Sequence, residues 1–233
     1  MFRLVILDNV PILEQLRLEE ALLRASSENW CLLNTGSAPA IVMGISGKPE
    51  ELLDRARVTQ DAIPVIKRFS GGGTVYIDPQ TVFASLICNS ATIDVPLQPK
   101  PLLKWSESFY SPLFPGFSLR ENDYVLGDKK FGGNAQYIQK NRWLLHTSFL
   151  WDYAPDKMHY LLLPQKRPAY RQDRPHSDFL CTLQSHFPSK TALISQLADN
   201  ARHQLGAQLV DTQAALAHLH LPHRSATSQI TLS

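Results

Sequence analysis

Apolar residues run together over residues 2–7 (FRLVIL) and stop at Asp8-Asn9. Beyond Pro11 their spacing changes, and Leu13, Leu16, Ala21, Leu22 and Ala25 recur at close to helical period. The first pattern predicts a strand. The second predicts a helix over 11–25, with Pro11 in the first turn, where a missing N–H removes no helical bond. Residues 30–34 and 40–43 read as short strands separated by Gly36-Ser37-Ala38-Pro39, and 49–57 as a helix with Glu50 and Glu51 in its first turn. Strand candidates at 64–69, 74–78 and 82–88 surround a run of glycines. A proline-rich connection at 96–101 leads to a helix over 102–110, stopped by Pro112 and Pro115. Residues 123–126, 130–138 and 142–151 form a predicted β-meander with turns at Gly127-Asp128 and Lys140-Asn141. The strongest helical signal is 189–205, where Ser189 is placed to cap the start, Ala192, Leu193, Leu197, Ala201 and Leu205 make a face, and Gly206 ends it. Strands and helices alternate without a strict βαβ rhythm. This predicts an α/β (α+β) chain with a mixed, largely antiparallel central sheet flanked by helices. The expected organisation is one catalytic-size domain over 1–222 and a loose polar tail over 223–233.

Composition narrows the function classes. In 233 residues, 23 Lys and Arg stand against 21 Asp and Glu, so the chain lacks the excess of cations that polyanion binding needs, and nucleic acid is not an expected partner. No apolar stretch approaches the ~18 residues of a membrane span, and the N-terminal apolar run is too short for a signal peptide, so membrane insertion is not expected and the cytoplasm is. Cys31, Cys88 and Cys181 are odd in number and flanked by apolar residues, which points to reduced, buried thiols. His203, His218, His220 and His223 have no spacing that makes a tight metal site.

Five of the eleven glycines lie in two places, Gly71-Gly72-Gly73 between two β-type runs and Gly132-Gly133 after Lys129-Lys130. Without a Cβ the backbone can lie directly against a ligand, and its N–H groups can line an anion site. Two glycine-opened segments, one beside cationic side chains, suggest a single pocket for an anionic ligand.

Three segments, RFSGGGTVYID at 68–78, KFGGNAQ at 130–136 and HTSFL at 146–150, resemble in order and spacing the signature segments of the lipoate–protein ligase A family. The likeness extends through Ile41-Val42-Met43-Gly44, Arg120-Glu121-Asn122-Asp123, Pro168-Ala169-Tyr170-Arg171 and Phe179-Leu180-Cys181. The resemblance implies the biotin/lipoate protein ligase catalytic-domain fold. It also implies an enzyme that joins lipoate, through a lipoyl-AMP intermediate, to a lysine of a lipoyl domain, as in 2-oxoacid dehydrogenase complexes or the glycine cleavage H protein. ATP and Mg²⁺, or preformed lipoyl-AMP, are the implied cofactors.

Such chemistry needs no enzyme nucleophile, only positioned donors and positive charge. By the resemblance, Lys130 contacts the adenylate at its phosphate and carbonyl. Arg68, Ser70, Gly71, Gly72, Gly73 and Thr74 form the pocket wall, and Val75 lies against the acyl chain. Asn122 and Asp123 lie near the nucleotide, with Asp123 able to hold Mg²⁺. Gly132, Gly133, Asn134 and Ala135 complete the adenylate site, and His146, Thr147 and Ser148 line the acyl or carrier-lysine tunnel.

This chain departs from the family pattern at Ile77, Gln80-Thr81, Thr147 and Gly47-Lys48. It also ends near the close of the catalytic domain, so a separate accessory subunit or use of preformed lipoyl-AMP is expected. Two other readings stand beside this one. An octanoyltransferase from acyl carrier protein would need an activated cysteine, and a non-catalytic lipoyl-domain binder could present Lys166, Arg167, Arg171 and Arg174 to an acidic carrier.

Overall fold

The computed structural model describes residues 1–163 and 168–232, so Lys166 and Arg167 of the basic segment lie outside the described residues. The strands are β1 (Phe2–Leu7), β2 (Asn29–Asn34), β3 (Ala40–Met43), β4 (Val65–Lys67), β5 (Val75–Ile77), β6 (Thr81–Asn89), β7 (Phe117–Arg120), β8 (Asp123–Leu126), β9 (Lys129–Gln139), β10 (Arg142–Leu150), β11 (Gln208–Leu209) and β12 (Ser228–Ile230). The helices are α1 (Ile12–Ala25), α2 (Pro49–Leu52), α3 (Arg55–Gln60), α4 (Pro99–Tyr110), α5 (His176–Phe179), α6 (Lys190–Leu205) and α7 (Thr212–Leu216). Among the described residues, eight strands pair in the order β11-β1-β2-β6-β10-β9-β8-β7 and four in the order β12-β4-β3-β5. The pairs β1–β2, β1–β11 and β3–β4 are parallel and the others antiparallel, so the expected mixed, mostly antiparallel sheet with flanking helices is present.

Alternation along β10 assigns the two faces of the large sheet. Trp143, Leu145 and Phe149 join Leu102, Leu103, Phe109 and Tyr110 of α4 and Leu193, Leu197 and Ala201 of α6 in one core. Leu144 points to the other face, where Leu18, Leu22 and Leu23 of α1 pack. Nearer the start of α1, Ile12 and Leu16 meet Ala40, Val42, Ile66 and Ile77 of the small sheet, so this helix is sandwiched between the two sheets. Each fully buried leucine there contributes about 2 kcal/mol. Arg142 crosses from β10 to the end of α1, donating to Leu23 O (3.1 Å) and Leu22 O (3.2 Å), carbonyls that a helix terminus leaves open. Helix α6 keeps the expected caps, with Ser189 accepting from the Ala192 N–H and Gly206 in the left-handed region at φ 60°.

Several expectations are corrected. The predicted helix 49–57 is two short helices, because Leu53 leaves helical geometry and the Asp54 side chain starts α3 by accepting from the Arg57 N–H. Strands β7 and β11 lie where no strand was expected; both are short and sit at the two edges of the large sheet. The tail is not loose at 226–230. Strand β12 pairs with β4, and Thr227 is buried. No helix among the described residues is long and apolar enough to cross a membrane.

Candidate active site

One irregularity in β9 decides where Lys130 points. Tyr124 of β8 pairs with Gly132, but its neighbour Val125 pairs with Lys130, so β9 accommodates one extra residue as a β-bulge. Strict alternation from Gly133 would turn Lys130 to the opposite face, toward the aromatic core. The bulge instead gives two successive residues to that core. Phe131 is fully buried in it, and a Cβ on Gly132 would lie 3.2 Å from ring atoms of both Phe149 and Tyr124. Lys130 is thereby returned to the face of Gly133, where a Cβ on that glycine would come within 3.2 Å of Lys130 Nζ and 3.8 Å of Ser148 Oγ.

Lys130 borders a cavity of ≈ 100 Å³. Gly133, Ser148 and Leu150 continue its floor, and Thr74 with Val75 and Ile77 of the small sheet forms one wall. Met158, Leu161, Phe179 and Leu180 add apolar surface, with Arg171 and His176 as the polar contribution of the segment that crosses above β9. That segment is tied down by a parallel bridge between Lys130 and Leu180 and by the Cys181 N–H, which donates to Lys130 O at 2.9 Å. A larger open depression of ≈ 490 Å³, lined by Pro11, Leu13, Glu14, Arg17, Leu219 and His220, contains none of the residues the sequence motifs single out.

Charge in the site is paired. Lys130 Nζ lies 2.7 Å from Asp123 Oδ1, and the Tyr170 hydroxyl donates to Asp123 Oδ2 at 2.9 Å. Burial, reinforced by the carboxylate it serves, holds the Tyr170 phenol well above its ordinary pKa, so it remains a donor. Burial drops the His176 imidazole to about 4, helped by the Arg171 and Lys130 cations, so it is neutral at pH 7. Both oxygens of Asp123 are occupied by protein groups, and no group of three or more His, Cys, Asp or Glu side chains among the described residues could hold a metal. A magnesium ion held by Asp123 together with nucleotide phosphates would have to share those oxygens with Lys130 and Tyr170.

The two glycine segments meet. A Cβ on Gly72 would lie 3.3 Å from Asn134 O and 3.7 Å from the Ala135 Cα, so the first glycine run rests on the backbone that follows the second. Gly72 has φ 121°, a conformation open to glycine, and its carbonyl presses on Gly44, where any side chain would collide with it. Ser70, Gly71, Gly72 and Gly73 do not line the cavity, and neither does Arg68. It is buried behind the loop and donates through Nη2 to Gly71 O (3.1 Å) and Gly73 O (2.9 Å). Desolvation pulls its pKa down to about 10, partly offset by Glu19, and it stays charged at neutral pH. The buried Ser70 Oγ and Thr74 Oγ1 have no hydrogen-bond partner among the described residues, and Thr74 is a cavity residue. Buried hydroxyls are seldom left so.

Other sequence-predicted positions fall elsewhere. His146 is not at the cavity. Its Nδ1 lies 2.9 Å from Glu19 Oε1 in a buried network with Ser85, Gln15 and Asn34. Thr147 faces the opposite side of the sheet from Ser148 and donates to Asn134 Oδ1 at 2.8 Å. Asn134 Nδ2 in turn donates to the carbonyl of Asn122, itself exposed in the β7–β8 turn (3.2 Å). Glu19 and His176 were missed. An acid on the apolar stripe of α1 was the available sign of Glu19, whereas nothing local marked His176.

The family model described as "Lipoyl protein ligase A/B catalytic domain" matches residues 11–200. The chain belongs to that family. A relative from Plasmodium falciparum named "Inactive lipoate–protein ligase 2" is 30% identical over 231 residues, covering 72% of this chain and 60% of its own length. Two relatives named "Probable lipoate-protein ligase A" from Mycoplasma pneumoniae and Mycoplasma genitalium and a "Lipoate-protein ligase LplJ" from Bacillus subtilis match over 34 to 39% of their lengths, so this chain spans less than two thirds of the curated relatives it matches. Its fold is that of a lipoate-protein ligase A solved with ATP, at TM-score 0.73 and 18% identity over 93% of both chains. The same fold recurs in a bi-partite lipoate protein ligase from Thermoplasma acidophilum described together with its E2 lipoyl domain. That match has TM-score 0.73 and 18% identity, covering 93% of this chain and 91% of the other.

Proposed function

We propose that this chain transfers a lipoyl group from lipoyl-AMP to a lysine of a lipoyl domain, and that it receives the adenylate preformed or makes it from lipoate and ATP with an accessory subunit. The observation that carries the proposal is Lys130, a cation held between Gly133, Asp123 and a cavity whose walls are largely apolar apart from Arg171, His176 and a few hydroxyl side chains. In the transfer step the carrier amine attacks the carbonyl of the mixed anhydride, an amide bond forms, and AMP leaves with the electrons of the C–O bond. A proton passes from the amine to solvent. Lys130 would stabilise the charge that gathers on the carbonyl and phosphate oxygens, where a positioned donor is worth most. Apolar side chains from Val75, Ile77 and Leu150 suit a hydrocarbon tail.

The test mixes the protein with an apo-lipoyl domain and either synthetic lipoyl-AMP or lipoate with ATP and Mg²⁺, and weighs the product. Lys130→Ala should lower transfer from lipoyl-AMP by about a hundredfold or more. Undiminished transfer by that variant would overturn the proposal. The name of the Plasmodium relative favours a second reading, a non-catalytic binder of lipoyl domains. It predicts that the wild type binds the domain and modifies none of it with either donor.

A further inference from the structure

The C-terminal strand β12 lies outside the residues that the family model matches, yet it is built into the base of the glycine loop. Ser228 pairs with Lys67 and Ile230 with Val65, closing what would otherwise be the open edge of β4. The next links come from Thr227, which is 3% exposed. Its Oγ1 accepts from the Phe69 N–H at 3.3 Å, one residue before Ser70. The Ala226 and Thr227 N–H groups both donate to the Glu20 carboxylate at 3.0 Å, and Glu20 is fully buried. Arg24 completes the knot, with Nε 3.0 Å from Glu20 Oε1 and its guanidinium over the rings of Phe69 (5.7 Å) and Tyr137 (5.2 Å).

These contacts converge on the start of the loop that then turns through Gly71, Gly72 and Gly73. Glycines contribute no side-chain anchor, so the loop depends on its ends and on Arg68. We infer that residues 226–230 are a positioning element for the glycine loop, and that Thr227 is a positioning residue acting through Phe69. Without the Thr227 hydroxyl the Phe69 N–H is left buried and unpaired, which favours conformers in which the loop lifts off Asn134 and Ala135. The inference rests on the proposed lipoyl-adenylate site for its functional consequence, while its structural content stands apart from that reading.

The test is hydrogen exchange by mass spectrometry on the full chain, comparing wild type, Thr227→Val, which keeps shape but cannot accept, and Thr227→Ser, which can. Exchange of the Phe69 amide, whose N–H donates to Thr227 Oγ1, should be about tenfold faster in Thr227→Val and near wild type in Thr227→Ser, with β1 amides unchanged. A non-hydrolysable lipoyl-adenylate should bind Thr227→Val about tenfold more weakly. In the transfer assay KM for lipoyl-AMP should rise by a similar factor with kcat little changed. Unaltered exchange at Phe69, or faster exchange spread uniformly over the protein, overturns the inference. Failure of the wild type to bind the analogue would defeat the lipoyl-adenylate reading instead, and the exchange experiment would still decide the role of Thr227.

Discussion

Gly133→Ala separates the position of Lys130 from its presence. Gly133 lies inside β9 without a left-handed φ, so alanine meets no backbone strain. The added Cβ would stand 3.2 Å from Lys130 Nζ and 3.3 Å from Cε, so the ammonium must move by a few tenths of an ångström. The far end of a lysine moves at little cost, and replacing a compatible glycine stabilises the fold by about 0.4–1 kcal/mol, so the melting temperature should hold or rise slightly. Function should respond in the opposite sense. A charge-assisted hydrogen bond contributes about 1.5–3 kcal/mol, and a misplaced donor that loses it slows the step by about tenfold to a hundredfold. The assay is single-turnover transfer from synthetic lipoyl-AMP to an apo-lipoyl domain, followed by intact mass, alongside thermal melting. In the Lys130→Ala background the same change should have almost no further effect, because the two substitutions act on one contact. A Gly133→Ala protein with wild-type transfer, or additive losses in the double variant, would refute the argument that Lys130 works from beside Gly133.

Two further outcomes follow from the protonation states. The native pKa of His176, about 4, lies below the ~6.5 of an unfolded chain, so between those values the unfolded state binds the proton and the native state does not; stability should fall as pH drops from 6.5 to 4. His176→Gln should flatten that part of the melting-temperature profile, and an unchanged slope would contradict the burial argument. Burial pushes the Cys31 and Cys88 thiols up to about 12, and Cys181 is raised but partly exposed. A thiol reagent at pH 8 should therefore modify Cys181 alone in the native protein. Rapid native labelling of Cys88, or transfer from octanoyl acyl carrier protein abolished by any Cys→Ala change, would favour the octanoyltransferase reading.

The order of elements was legible from the chain because strand and helix periods are local: α1, α6 and the β8–β10 meander announce themselves by spacing, caps and turns. The three motifs carried the family for the same reason, being short local runs, two of them rich in glycine beside charged residues, whose order is read directly from the sequence. The orientation of Lys130 was not legible, because it depends on a bulge that exists only when β9 is registered against Tyr124 and Val125 of β8. The motifs place Arg68 and His146 in the pocket, whereas in the fold both are buried away from the cavity. Each is a buried polar group whose partners, the Gly71 and Gly73 carbonyls for one and Glu19 for the other, are set by packing. The polar C-terminal segment looked unstructured by composition, and it became a strand because β4 had an open edge and Glu20 a buried carboxylate to satisfy. Local pattern determines the long elements, whereas short edge strands such as β12 form only against a partner. Which side chains share a site is decided by long-range pairing, since hydrogen-bond satisfaction in the interior is settled only when distant segments meet.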